Sequence, residues 1–443
     1  MSIASVPNLT EVLTGSPYVG YSYAYPHKTA YRQFAEPIPL SRVWQGEPLD
    51  SLFLYVHIPF CEYRCGFCNL FTLSQPEDSL TTRYLHALER EAAAHHSSLV
   101  SPRFTRLAIG GGTPTFLTID ELDRLFTLIE RLAGTARLAV PLSCEGSPAT
   151  LTAEKLSLLR ERGTTRFSLG IQSFEERDLQ TLGRPQAREE VEQALTLLAA
   201  YRFPITNLDL IYGSSSQTAA SWSATLDRAI AFAPEEIYLY PLYIRPLTGL
   251  SRLGQWDDWR LQLYRAGRDQ LLEAGYTQVS MRMFSRDTSA AATGPTYCCQ
   301  NDGMVGLGCG ARSYTRGLHY SREYAVKSAN VAGILANYIG KSSTDFSQVE
   351  YGIELSSHEQ RRRVLIMSLL QAEGLNCSSY TERFGSDVLE DFPQLDELIA
   401  HGLAVSAGQR LQLTAAGLER SDAIGPWLYS PSIVQRMEDY AWR

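Results

Sequence analysis

The sequence predicts an α/β fold whose core is a barrel-like set of six parallel strands joined by crossover helices. Three observations predict it. Short apolar, β-rich runs alternate with helical patterns from residue 50 to about 245, as parallel strands with returning helices require. No dinucleotide-binding glycine fingerprint opens the first helix, which disfavours an open doubly wound sheet. The 443 residues are enough for such a core with additions, at roughly 100–200 residues per domain.

In chain order, residues 1–50 are rich in Tyr and Pro and show no periodicity. Tyr18, Tyr21, Tyr23, Tyr25 and Tyr31 crowd around Pro26, His27 and Lys28, which predicts an irregular N-terminal arm, either lying on the surface or covering a pocket. Strands are expected at 52–58, 106–110, 138–144, 166–171, 205–212 and 236–242, and helices at 81–100, 119–132, 153–162, 188–201 and 219–232. A helix near 257–274, a strand at 277–284 and a Gly-rich stretch at 303–310 follow. Helical patterns at 357–371, 377–384 and 389–401 then precede two short strands, 403–405 and 410–414, which predicts a small winged-helix-like unit. The domains expected are an arm (1–50), a barrel with its extension (51–345) and a C-terminal helical, winged-helix-like domain (346–443).

Composition narrows the function. Forty Lys and Arg against 48 Asp and Glu leave a net charge of −8, so no nucleic-acid partner is expected; in the C-terminal unit Asp and Glu balance Arg, which favours packing or covering substrate. There is no basic, apolar signal at the N-terminus and no run of about 18 apolar residues, so neither secretion nor a membrane is expected. Eight cysteines are too sparse for a disulfide scaffold. Three of them fall within eight residues, which points to metal or redox chemistry in a reducing, cytoplasmic setting.

Those three, Cys61, Cys65 and Cys68, have the spacing C-x3-C-x2-C and follow the first strand directly. They therefore sit at a strand's C-terminal end, where barrels build their sites. A structural zinc needs four ligands, and no second Cys/His pair follows at finger spacing. A catalytic zinc on three cysteines and an iron–sulfur cluster with one open iron both remain. Incidental core packing is disfavoured, because the spacing belongs to a loop. Simple alternation turns His57 away from a loop-bound centre. Gly110, Gly111 and Gly112 let backbone approach a charged ligand, or merely make a tight turn. Glu145, Gln172, Arg184 and Asp209 fall at or beyond strand ends. Arg184 has a ligand carboxylate or the surface Glu189 as candidate partners. Asp209 shares a strand face with Asn207 and Ile211 and needs a partner if it points inward.

The loop after Tyr55–Phe60, followed in order by Gly110–Pro114, Glu145, Arg166–Phe174, Leu182–Arg184 and Asn207–Gly213, resembles the radical S-adenosylmethionine (SAM) superfamily. More narrowly it resembles the group of oxygen-independent coproporphyrinogen III oxidase and its heme-chaperone relatives, over roughly residues 50–435. The resemblance implies a partial (β/α)6 TIM-type barrel of the radical SAM kind. It implies a [4Fe-4S] cluster on Cys61, Cys65 and Cys68, with the open iron chelating SAM, which an electron cleaves to methionine and a 5′-deoxyadenosyl radical. Tyr55, Gly111 and Glu145 would contact that SAM. Phe67, Gly112, Thr113, Gln172, Arg184 and Asp209 match positions lining a second SAM or the adjacent pocket. No catalytic residue is assigned. The implied partners are a small molecule, a tetrapyrrole or heme, and a reductant such as flavodoxin or ferredoxin. The alternative function is a heme chaperone that keeps the cluster without oxidase turnover.

The sequence also departs from the oxidase pattern. Leu70 stands where the oxidase has a further cysteine, Ser214–Gln217 replaces Leu-Pro-Gly-Gln, and Tyr243–Gly249 replaces an acidic stretch. These changes bear on the substrate more than on the radical chemistry. Cys298, Cys299 and Cys309 are expected to be packing thiols rather than an auxiliary cluster. Arg312 is placed within reach of SAM, and His27 is read as a hydrogen-bonded loop histidine rather than a heme ligand.

Overall fold

The computed structural model describes residues 8–134, 140–252, 258–286 and 299–442. Cys298, the first residues of the expected strand 138–144 and the first of the expected helix 257–274 lie outside them. The described chain divides into two units, one from 32–252 and 299–353, the other from 8–31, 258–286 and 354–441.

In the first unit, six parallel strands run side by side in sequence order. They are β1 (Leu52–Ile58), β2 (Phe104–Gly111), β3 (Leu142–Gly146), β4 (Arg166–Gln172), β5 (Ile205–Tyr212) and β6 (Glu236–Pro241). The register pairs Ile58 with Gly111, Ile109 with Cys144, Glu145 with Ser168, and Asp209 with Tyr238. Alternation along each strand separates two faces. Leu52, Leu54, Val56 and Ile58 on β1, Leu107 and Ile109 on β2, Phe167, Leu169 and Ile171 on β4, and Leu208 and Leu210 on β5 are buried. Interleaved with them stand Tyr55, Ser143, Glu145, Arg166, Ser168, Asn207, Asp209 and Tyr238, the polar inner face of a partial barrel. Cys144 follows Leu142 on the apolar face.

The helices form where local chemistry favours them. Ile119–Ala133 starts at a capping box between Thr118 and Glu121, ends at Gly134 with φ +69°, and buries Leu122, Leu125, Phe126, Leu128, Ile129 and Leu132. On its other side β1 pairs in parallel with Met304–Leu307, and the sheet continues through Arg312–Tyr314, Leu318–Ser321, Gln348–Glu354 and Arg32–Pro39.

The arm is more ordered than its sequence predicts. Helix Leu9–Thr14 precedes Arg32–Pro39, an edge strand antiparallel to Gln348–Glu354. Pro37 and Pro39 hid it, and an outermost strand tolerates them because one edge needs no donors. Tyr25 and Tyr31 are fully buried rather than spread on a surface. The Tyr25 hydroxyl bonds Glu359 and Ser430 within the second unit. In that same unit, the expected strand 277–284 is a hairpin of Thr277–Gln278 and Met283–Ser285. The expected helix 389–401 breaks into Val388–Asp391 and Leu395–Ala400, because Pro393 cannot continue it. The two short C-terminal strands, Ala404–Ala407 and Arg410–Leu413, are joined by Leu375–Asn376 in a three-stranded antiparallel sheet. Among the described residues, no helix is long and apolar enough to cross a membrane.

Candidate active site

The cysteine loop leaves β1 and is tied at its base by Phe60–Cys61 pairing with Leu73–Ser74. Its tip is held by distant motifs. The Gly66 amide donates to the Leu182 carbonyl at 3.0 Å, and the Leu250 amide donates to the Gly66 carbonyl at 2.9 Å. A Cβ on Gly66 would stand 2.9 Å from the Leu182 oxygen, so only glycine permits this approach. The Gly112 and Thr113 amides donate to the carbonyls of Ile58 and Phe60, both at 2.8 Å, joining the glycine motif to the loop.

Each sulfur meets a side-chain hydrogen-bonding group. The Thr113 hydroxyl donates to Cys61 Sγ at 3.6 Å, Arg184 Nη1 donates to Cys65 Sγ at 3.2 Å, and Thr72 Oγ1 lies 3.9 Å from Cys68 Sγ. Desolvation pushes the Cys61 thiol up to about 12; Thr113 opposes this, while Cys68 and Cys65 add to it. Burial likewise raises Cys68, with Cys65 adding to the rise. A cationic metal centre at this loop would relieve the cost of ionising the buried Cys61 and Cys68 thiols. Among the described residues, no three His, Cys, Asp or Glu side chains converge on a single ion. Three soft sulfur ligands on one loop, one short of a closed set, fit an iron–sulfur cluster that leaves one iron open.

The glycine motif is shaped by the chain itself. A Cβ at Gly110 would stand 2.7 Å from the Glu145 carboxyl, one at Gly111 2.5 Å from the His57 ring, and one at Gly112 2.6 Å from the Phe60 oxygen. Gly111 has φ +115°, and its amide donates to Glu145 Oε2 at 3.1 Å. His57 does not turn away from this region. It shares a face with Tyr55, as residues two apart on a strand must. Its Nε2 lies 3.0 Å from the Phe71 carbonyl, which can only accept; Nδ1 then accepts from the Tyr55 hydroxyl at 3.2 Å. Burial raises the Tyr55 phenol, so it stays protonated, and Arg312 opposes that shift from close by.

Glu145 is exposed by surface area, yet the surrounding chain desolvates it enough to push its carboxyl up to about 7. Both observations hold for a group that lines an open interior. Desolvation also raises Asp209, against hydrogen bonds from Asn207 Nδ2 (2.9 Å) and the Ser168 hydroxyl (3.1 Å). Arg166 supplies the counter-charge; it pairs with Glu236 at 2.7 Å and donates to the Ser143 hydroxyl at 3.1 Å. Sequence reasoning missed Arg166 and Glu236 as site residues. The inward register shared by Arg166 and Ser168 was the signal available.

Gln172 has φ +71° at a register shift between β4 and β5, and its amide folds back over Gly170. Such strain in a non-glycine residue clusters at functional sites. Phe67 packs beside Leu182, Ile211, Leu242 and Leu250. Arg184 is bound to Gln186, Gly170, Ser147 and Cys65 rather than to Glu189. Leu70 is 46% exposed. Away from the loop, Cys309 is fully buried, Cys299 is half-buried, and His27 Nδ1 caps the turn Lys28–Ala30.

The radical SAM superfamily profile matches residues 55–229, and the HemN C-terminal domain profile matches 355–419. The heme chaperone HemW of Bacillus subtilis (strain 168) is 28% identical, over 82% of this chain and 95% of its own. HemW of Synechocystis sp. is 32% identical, over 60% and 67%. The oxygen-independent coproporphyrinogen III oxidase of Salmonella typhimurium is 27% identical, over 90% and 91%. Among solved structures, coproporphyrinogen III oxidase (HemN) from Escherichia coli superposes with a TM-score of 0.77 at 24% identity, covering 95% of this chain and 98% of that one, a likeness of fold.

Proposed function

The chain belongs to the radical SAM superfamily, whose members use a [4Fe-4S] cluster and SAM, and carries a HemN C-terminal domain; from this we propose that it holds such a cluster on Cys61, Cys65 and Cys68 and acts on a small molecule of the tetrapyrrole class. The observation that carries the reading is the loop itself: three thiols within eight residues, each beside a hydrogen-bonding side chain, at the C-terminal end of a parallel strand. When bound, the cluster supplies the electron that cleaves SAM to a 5′-deoxyadenosyl radical.

The chain's own residues position and enclose the reactants. Tyr55, its hydroxyl proton directed to His57, and Glu145, anchored by the Gly111 amide, face the proposed SAM. Gln172, Arg184 and Asp209, with Phe67, Gly112 and Thr113, line the adjoining pocket. The buried Leu and Ile outside the barrel wall leave this polar interior as the place for a charged ligand. The free cysteines suit a reducing, cytoplasmic setting, and a flavodoxin- or ferredoxin-type protein is the proposed electron source.

Anaerobic reconstitution is expected to give about four irons per chain, and dithionite to release 5′-deoxyadenosine from SAM. Oxidative decarboxylation of coproporphyrinogen would identify an oxidase. A second reading, a heme chaperone, is favoured by the HemW relatives and by Leu70 in place of the oxidase's further cysteine. Tight, stoichiometric heme binding without coproporphyrinogen turnover would select it.

A further inference from the structure

Arg184 is 8% exposed, and none of its hydrogen-bond partners among the described residues is a carboxylate. Its partners are the Gly170 carbonyl at 2.6 Å, Gln186 Oε1 at 2.9 Å, the Ser147 hydroxyl at 3.4 Å and Cys65 Sγ at 3.2 Å. The Tyr63 ring lies 5.5 Å from the guanidinium carbon. Four of the five guanidinium N–H groups are thus engaged, all by neutral oxygens or by sulfur. A nearly buried cation without an anionic partner is unfavourable. The group it is aimed at that becomes anionic when the site is loaded is the Cys65 thiolate.

We propose that Arg184 is a positioning residue that raises the reduction potential of the cluster through the sulfur of Cys65. The inference rests on the reading that Cys61, Cys65 and Cys68 hold the cluster. Reduction adds one electron, from a low-potential one-electron carrier, and breaks no bond. The incoming negative charge joins a cluster that three thiolates already make anionic. A fixed cation in a poorly solvated position favours the reduced form over the oxidised form, and hydrogen bonds to cluster sulfurs act in the same direction. Thr113, a neutral donor on Cys61, contributes the same effect more weakly.

The test is a mediator-poised redox titration of the reconstituted protein, followed by electron paramagnetic resonance without SAM, so that no ligand carboxylate contributes. The expected order of midpoint potential is wild type, then Arg184→Lys, then Arg184→Gln, with Thr113→Val falling slightly below wild type. A purely structural role would change iron content and leave the potential of the loaded fraction where it was. An Arg184→Gln protein with full iron and an unshifted potential overturns the proposal. If that variant holds no iron, Arg184→Lys and Thr113→Val decide, and unshifted potentials in both overturn it. Wild-type protein that takes up no iron refutes the cluster reading, and the proposal falls with it.

Discussion

At the scale of single residues, the site depends on a few atoms that no neighbour replaces. Replacing Cys61, Cys65 or Cys68 by Ala is expected to abolish iron incorporation, measured by iron analysis and visible absorption after reconstitution, because a cube cannot be held by two thiolates. Glu145 gives a pH-dependent prediction. Its carboxyl titrates near 7 in the folded chain, against 4.5 ordinarily. Between those values the folded state keeps a proton that the unfolded state has lost, so this group's contribution to stability falls as pH rises and is fully lost above about 7. Glu145→Gln removes the charge and should therefore stabilise the cofactor-free chain above about pH 7, with no gain below about pH 4.5. Solvent access to Glu145 limits the gain to about 1 kcal/mol. Thermal unfolding across that range checks it, and a gain confined to low pH would contradict it. The glycines at 110–112 are held by close packing of the same kind. The motif was legible, but its physical reason was not, since Glu145, His57 and the Phe60 carbonyl occupy the space that the missing side chains would need.

At the scale of elements, helices and strands were legible wherever local chemistry carried the signal. The capping box at Thr118 and Glu121, the Gly134 stop and the apolar stripe between them fix one helix without help from the rest of the chain. Phe126→Ala, which empties a fully buried site on that stripe, should cost about 3–5 kcal/mol in urea unfolding, and Thr118→Ala about 1 kcal/mol. Elements were misread where a long-range partner decides them. Arg32–Pro39 is a strand because Gln348–Glu354 lies beside it; its own prolines argue otherwise. Leu375–Asn376 is too short to show a period and is a strand only through its pairing with Arg410–Leu413. Gly111 belongs to this scale as well. Gly111→Ala would need a strained φ and would drive a methyl into His57. The expected result is disturbed placement of Tyr55 and weaker SAM binding by equilibrium dialysis, with iron content retained because the cysteine loop is tied at other points.

At the scale of the whole molecule, each unit has its own means of cohesion. In the first, the parallel sheet buries one face in aliphatic residues and leaves the other polar. In the second, the N-terminal segment is an integral part: Leu9, Val12, Tyr25 and Tyr31 are buried there, and Arg282 and Asp422 form a buried, two-pronged ion pair beside the Tyr21 ring. Asp422→Ala strands the guanidinium and should destabilise this unit by about 3–5 kcal/mol, read from its thermal unfolding; a loss under about 1 kcal/mol would show that solvent reaches the pair.

The sequence by itself determined the order of strands and helices, the cysteine triad and the family, because periodicity, capping and loop spacing act over a few residues. Only the tertiary structure decided what surrounds each sulfur. Arg184 stands 119 residues from Cys65, and Thr113 stands 52 from Cys61. Such distances carry no local signal, and they close only when parallel strands bring the ends of their loops to one side of the sheet. The tertiary structure likewise turned Glu145, Asp209 and Arg166 toward one interior, where desolvation raises both carboxyls while Arg166 stays a cation paired with Glu236.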